Sequence, residues 1–142
     1  MIVRLEKKDI SSIIALHKTC NFLDGWNKQM LESAFDNNYN AFGVIENGEL
    51  VAYIGFDSGL FEYEFQTVLV NPLYRKKGLA KALIGKMLDM AKQNNIESIF
   101  LEVREQNESA INLYQGLGFK VISKRNKYYF DGENALVMKK EI

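Results

Sequence analysis

The chain is nearly without cysteine, proline and histidine, with one of each in 142 residues. A lone Cys20 excludes an intramolecular disulfide. Without a CxxC pair, and with His17 as the single histidine, no zinc-type ligand set can be assembled. Net charge is absent too, since 18 Lys and Arg balance 18 Asp and Glu. Broad binding to a nucleic-acid backbone needs a basic excess, so no direct nucleic-acid partner is expected. No apolar run nears the roughly 18 residues that a membrane span needs. No signal-type stretch precedes the strand-like Ile2-Val3-Arg4-Leu5. A reducing cytoplasm, with no membrane partner, is the expected compartment. Repeats, low-complexity tracts and Pro- or Ser-rich linkers are missing as well, and the length suits one domain over 1–142.

What is present is a succession of strand and helix patterns. Residues 2–5 alternate as a short strand. From Asp9 to about Cys20, the residues Ile10, Ile13, Ile14, Leu16 and His17 fall near helical spacing, with Asp9 or Ser11 as the cap. A short helix is expected over Asn27–Phe35. Phe42–Ile45 and Leu50–Phe56 read as strands joined at Asn47-Gly48, a hairpin turn. Glu62–Val70 reads as a strand ended by Asn71-Pro72. On a helix from Gly78 to Asn94, the residues Leu79, Leu83, Ile84, Met87, Leu88 and Ala91 form one apolar stripe. Ser98–Val103 is an apolar strand expected to be buried on both faces. Asn107–Leu117 is a helix stopped near Gly116 and Gly118. Phe119–Ser123 and Ala135–Lys139 are strands, with a turn at Asp131-Gly132. The central strand–helix–strand unit implies a parallel pair with a right-handed crossover, and the hairpins imply antiparallel pairs. The fold class is therefore α/β, a mixed sheet with helices on its faces.

The segment from Val68 to Ala80 runs from strand through turn to helix. A helix start exposes backbone N–H groups with no intrahelical acceptor, and its dipole favours an anion. Gly78 lets a ligand approach the backbone, and Ala80 adds little bulk. Arg75, Lys76 and Lys77 add positive charge. Together these suit a diphosphate. An ordinary crossover loop with a solvated basic run explains the same residues. The spacing is neither GxGxxG nor a Walker A loop, which excludes nucleoside triphosphate hydrolysis on that pattern.

Further along, Phe100, Glu102 and Arg104 share one face of a strand by alternation. Glu102 reads either as a partner of Arg104 or as a general base at the end of a central strand, where open α/β sheets bind ligands. On the next helix, Asn107, Ala110 and Tyr114 form a stripe about two turns long. Taken singly, Asn107 reads as a helix cap and Tyr114 as a core residue. Tyr128 and Tyr129 fit strand packing, Cys20 a small buried residue, and His17 a helix-surface or core residue. Trp26 is a candidate wall of an acceptor pocket.

Arg75-x-x-Gly78-x-Ala80 after Val68-x-Val70 resembles the acyl-coenzyme A loop of the GNAT superfamily of N-acetyltransferases. The run Leu101-Glu102-Val103-Arg104-x-x-Asn107-x-x-Ala110-x-x-Leu113-Tyr114-x-x-x-Gly118-Phe119 resembles its ribosomal-protein alanine N-acetyltransferases, the RimI type. So does the tail from Arg125 to Met138, with one departure: Asn134 stands where an acidic residue is expected after Glu133. The resemblance implies the GNAT fold, a mixed and mostly antiparallel sheet whose parallel pair opens at the acetyl-coenzyme A site. It implies that acetyl-coenzyme A is held by Val68, Leu69, Val70, Arg75, Lys76, Lys77, Gly78, Leu79, Ala80, Lys81 and Asn107, with no metal. It also implies a bulge in the strand at Val68–Val70, Glu102 as base, Tyr114 as acid, and Tyr128 and Tyr129 as a wall for the acceptor peptide.

The expected reaction is direct attack of an amine on the thioester. An α-amino group has a pKa of about 7.7–8.0 and a lysine about 10.4, a gap worth roughly 3.5 kcal/mol of deprotonation. A carboxylate base therefore serves a chain N-terminus more easily than a lysine. The Val70 N–H is the candidate oxyanion donor. The resemblance implies acetylation of the N-terminal alanine of a ribosomal protein. Other protein N-termini, lysines or a small-molecule amine are alternative acceptors on the same scaffold. A non-catalytic acetyl-coenzyme A sensor is the alternative outside enzymes, and the pairing of Glu102 with Tyr114 argues against it.

Overall fold

The computed structural model describes residues 1–22 and 24–142. In chain order the elements are β1 (Ile2–Leu5), α1 (Ile10–Thr19), α2 (Lys28–Phe35), β2 (Tyr39–Glu46), β3 (Glu49–Ser58), β4 (Glu62–Val70), α3 (Leu79–Gln93), β5 (Ser98–Arg104), α4 (Glu108–Gly116), β6 (Lys120–Arg125) and β7 (Ala135–Glu141). The strand order is β1-β2-β3-β4-β5-β7-β6 in one seven-stranded sheet. By packing, the chain divides into two compact units. One is Met1–Ser58 with Gln66–Met90, the other Gly59–Phe65 with Ala91–Ile142.

In the first unit, β1, β2 and β3 pair antiparallel, with Val3 opposite Gly43 and Phe42 opposite Ile54. Asn47 and Gly48 both take left-handed φ, 52° and 77°, as a two-residue hairpin of this hand requires. The Asn27 side chain caps α2 by accepting from Met30 N at 2.8 Å. Asp9 does not cap α1 with its side chain; its carboxylate instead accepts from Glu6 N at 2.8 Å. The core gathers Leu5, Ile10, Ile13, Leu16, Leu31, Ala41 and Tyr53. His17 belongs here, buried on α1 with Nε2 3.1 Å from the Tyr53 hydroxyl. Along the first unit's part of α3, Leu83, Ile84 and Met87 are fully buried, while Leu79 and Leu88 lie half-buried at the margin of the stripe.

In the second unit, the first half of β4 runs parallel to β5, from Glu62 opposite Ser98 to Phe65 opposite Leu101. β7 pairs antiparallel with both β5 and β6. One expectation is corrected. β5 is not buried on both faces: Ile99, Leu101 and Val103 are buried, and Phe100, Glu102 and Arg104 are half-buried. Lys139 lies over the Phe100 ring, Arg125 meets Glu102, and Arg104 lies against Tyr129. Phe65, Tyr114 and Phe119 form an aromatic chain in this unit's core, at 5.5 and 6.1 Å between successive ring centroids.

Candidate active site

The loop of the first unit is shaped by two left-handed residues, Lys76 at φ 63° and Gly78 at φ 79°. A lysine in that region is strained, and such strain persists where the surroundings impose it, often around a ligand. Gly78 needs its freedom for the same reason, and a Cβ placed there would meet nothing within 4 Å. The first bond of the fifteen-residue helix α3 runs from Ala82 N to Gly78 O, at 3.0 Å. The N–H groups of Leu79, Ala80 and Lys81 therefore have no helical acceptor. Lys76, Lys77 and Lys81 are exposed beside them. Amides, open space and cations at one helix start fit a diphosphate.

Arg75 is placed differently from its neighbours. Its Nε donates to the Val70 carbonyl at 3.1 Å, and the Cys20 thiol donates to the same oxygen at 3.5 Å. The Arg75 guanidinium thus fixes the end of β4. Burial raises the pKa of the Cys20 thiol, and Arg75 opposes that rise. Asn71 is buried and locks the turn, accepting from Leu73 N at 3.0 Å and donating its own N–H to Val51 O at 2.7 Å. Val68, Leu69 and Val70 are half-buried on the second half of β4, with Leu69 packed on the first unit's core.

In the second unit the site is made of side chains. Glu102 Oε2 lies 3.2 Å from Arg125 Nε, while the carboxylate side chain is 23% exposed. That ion pair is off the hydrogen-bond line, so Oε2 is buried with no hydrogen bond. Arg104, weighed from the sequence as the partner of Glu102, binds Glu133 at 2.6 Å and Asp131 at 2.8 Å. Tyr128, half exposed, hydrogen-bonds to Glu102 and lies beneath the Arg125 guanidinium, 5.6 Å from the ring centre. Burial raises its pKa, as do the charge and hydrogen bond of Glu102 and the charge of Glu64, while Arg125 lowers it. Tyr129 turns inward beneath Arg104, at 4.2 Å. Of the two expected wall residues, Tyr128 is therefore the accessible one.

Tyr114 is buried, and desolvation pushes its phenol up to about 12. Asn107 is the N-cap of α4, its side-chain oxygen accepting from Ala110 N at 3.2 Å. Its amide nitrogen remains free to donate to a ligand. The departure at Asn134 has a local cause. Its Oδ1 accepts from Lys127 N at 2.9 Å and its Nδ2 donates to Glu105 Oε1 at 3.4 Å. A carboxylate could do only the first. Sequence reasoning missed Arg125 beside Glu102, Glu64 within electrostatic reach of Tyr128, and the anchoring role of Arg104. The one available signal was a basic residue shortly before the aromatic run at 128–130. Among the described residues, no group of three His, Cys, Asp or Glu side chains is arranged to hold a metal, and no helix is long and apolar enough to cross a membrane.

Comparison with known proteins converges on one family. The model of the acetyltransferase (GNAT) family matches residues 8–119. An uncharacterized protein of Mycobacterium leprae is 37% identical over 129 residues, 84% of this chain and 35% of that protein, so the chain spans about a third of its length. The ribosomal protein bS18-alanine N-acetyltransferase of Escherichia coli is 32% identical over 116 residues, covering 80% of this chain and 78% of that protein. The crystal structure of the ribosomal-protein-S18-alanine N-acetyltransferase from Escherichia coli superposes with a TM-score of 0.91 at 29% identity, covering 100% of this chain and 93% of that one. A family match over most of the chain, joined to that superposition, makes this protein a member of the acetyltransferase (GNAT) family and an acetyltransferase.

Proposed function

We propose that the protein transfers an acetyl group from acetyl-coenzyme A to the N-terminal alanine α-amine of a ribosomal protein, acting in the cytoplasm as one catalytic domain over 1–142. The likeness to the bS18-alanine acetyltransferase of Escherichia coli supports the acceptor class. The observation that carries the chemistry is Glu102, whose buried Oε2 has no hydrogen bond and only a misaligned cation beside it. A buried acceptor left unsatisfied is rare in a folded protein and marks a position kept for a reacting group.

Acetyl-coenzyme A, when bound, supplies the acetyl group as a thioester. The amides of Leu79, Ala80 and Lys81 hold its diphosphate, with Lys76 and Lys77 beside them. The Asn107 amide nitrogen donates to the pantetheine arm. Glu102 exchanges Arg125 for the incoming ammonium and takes its proton, directly or through water. The Val70 N–H donates to the carbonyl oxygen as negative charge develops there. Tyr114 stands by the leaving sulfur as a protonated phenol. Full transfer from a phenol near 12 to a thiolate near 8.5 runs uphill by about 3.5 units, roughly 5 kcal/mol. Tyr114 therefore assists as a hydrogen-bond donor, and the thiolate takes its proton from the amine as the bond to sulfur breaks. Tyr128 forms the wall beside the acceptor, and Tyr129 supports it from behind.

A coenzyme A release assay tests the reading. The acceptors are a peptide with a free N-terminal alanine, the same peptide blocked at its N-terminus with an internal lysine, and several small amines. Turnover concentrated on the free α-amine supports it. Turnover only on the lysine peptide or a small amine overturns the acceptor assignment.

A further inference from the structure

The chemistry above gives no role to a half-buried carboxylate of the first unit. Asp57, at the end of β3, is half-buried, and burial raises its pKa while Gln66 lowers it. Its Oδ2 accepts from Gln66 Nε2 at 2.8 Å. Among the described residues no lysine, arginine or histidine pairs with it. A partly desolvated carboxylate with no cation is costly to keep, so a cation from outside is the natural complement.

Asp57 lines a groove of about 560 Å³ along α2 and, among the described residues, is the only charged one in its wall. Met30, Ser33 and Ala34 follow helical spacing and so present one face of α2, with Asn37 just past its C-terminal end. Trp26 closes the groove at one side. The Trp26 ring packs on Tyr39 at 5.5 Å, and Tyr39 meets Phe35 edge-on at 5.2 Å. The Tyr39 hydroxyl presses on Gly55, where an added Cβ would collide with it. The wall is therefore held from beneath, although Met30 itself is 48% exposed.

Walls of Trp26, Met30 and Ala34, interspersed with the neutral polar Gln29, Ser33 and Asn37 and carrying one carboxylate, suit a long side chain that buries its stem and carries a charged tip. That describes lysine or arginine, and the tryptophan face adds cation–π attraction. Position along β4 ties the groove to the acceptor. Gln66 stands four residues before Val70, which spans roughly 13 Å of strand. We infer that the groove takes a lysine or arginine side chain of the acceptor polypeptide, at about its third to fifth residue by the same spacing. This rests on the reading of the protein as an N-terminal peptide acetyltransferase.

Trp26 is the only tryptophan of the chain, so its fluorescence reports on this groove alone. The probes are two hexapeptides acetylated at the N-terminus, so that neither can react: one with arginine at its fourth and sixth residues, the other with glutamate there. Titrated into the 142-residue chain, the arginine peptide should shift the Trp26 emission and bind about tenfold tighter or more, a difference of about 1.4 kcal/mol. In Asp57→Asn, which keeps an oxygen for Gln66, that preference should collapse toward one. Ser33→Lys, which tethers a cation in the groove, should abolish it independently. Equal binding of the two peptides, or an undiminished preference in both variants, overturns the proposal. So does spermine binding as tightly as the arginine peptide, since the groove would then serve a free polyamine. Turnover is read separately: failure of every free-N-terminus peptide to react sinks the acetylation reading, whereas the titration judges the groove by itself.

Discussion

In the first unit the groups offered to a ligand are backbone amides; in the second they are side chains. The loop at Lys76–Lys81 depends on φ angles and on a helix start, with its lysines adding charge around the rim. The cluster at Glu102 depends on which side chains meet it, and Arg125 and Tyr128 come from a stretch more than twenty residues further along the chain. A backbone site tolerates most side-chain changes but not a change of backbone conformation. A side-chain site behaves the other way round, because one isosteric replacement removes its function and leaves its shape.

The largest expected effect falls on the side-chain half. Glu102→Gln should lower kcat by about 100- to 10,000-fold on an alanine peptide. Because an α-amine titrates near 7.7–8.0, raising the pH from 7 to 9 should restore about tenfold of that loss. A purely structural Glu102 would give no such recovery. On the backbone half, Gly78→Val forces a branched residue to φ 79°, a strain of about 1–3 kcal/mol. The dissociation constant of coenzyme A, measured by calorimetry, should rise roughly tenfold or more. Tyr114→Phe should cost only about tenfold in kcat, since a thiol near pKa 8.5 leaves well unaided.

Two smaller effects test what holds each half in place. Asn134→Asp loses the bond to Glu105 and sets two carboxylates together, which should cost about 1 kcal/mol and lower Tm by a few degrees. The loss should shrink at acid pH, where the new carboxylate protonates. In the first unit, burial lowers the pKa of His17, so the folded chain holds it neutral. The unfolded chain binds that proton first, below pH about 6.5, so this part of the stability is full above 6.5 and declines as pH falls. Tm recorded from pH 7.5 to 5.5 should therefore drop more for the wild type than for His17→Gln.

The same contrast explains what the sequence could reveal. Gly78, Ala80 and the apolar stripe of α3 are local patterns, and the helix start, its capping turn and its buried face lie where they indicate. Asn107 is local too, and its cap is present. Arg125 is not local to Glu102: it reaches the carboxylate only because β6 and β5 both pair with β7, which places Val137 opposite Glu102 and Ala135 opposite Arg125. The misjudged burial of β5 has the same origin. Phe100 looks like a core residue in a string of apolar letters, yet a lysine from β7 covers it. Asn134 looked like a defect until its two bonds, one accepted and one donated, were visible.

The central claim is that the backbone loop holds the coenzyme and Glu102 moves the proton. The most direct test measures the acetyl-coenzyme A dissociation constant and peptide turnover together, for Glu102→Gln and Gly78→Val. The account predicts a crossed result, with Glu102→Gln keeping its affinity and losing turnover, and Gly78→Val losing affinity while retaining kcat at saturating acetyl-coenzyme A. If Glu102→Gln turns over normally, or if both variants lose affinity and turnover in parallel, that division of labour is contradicted.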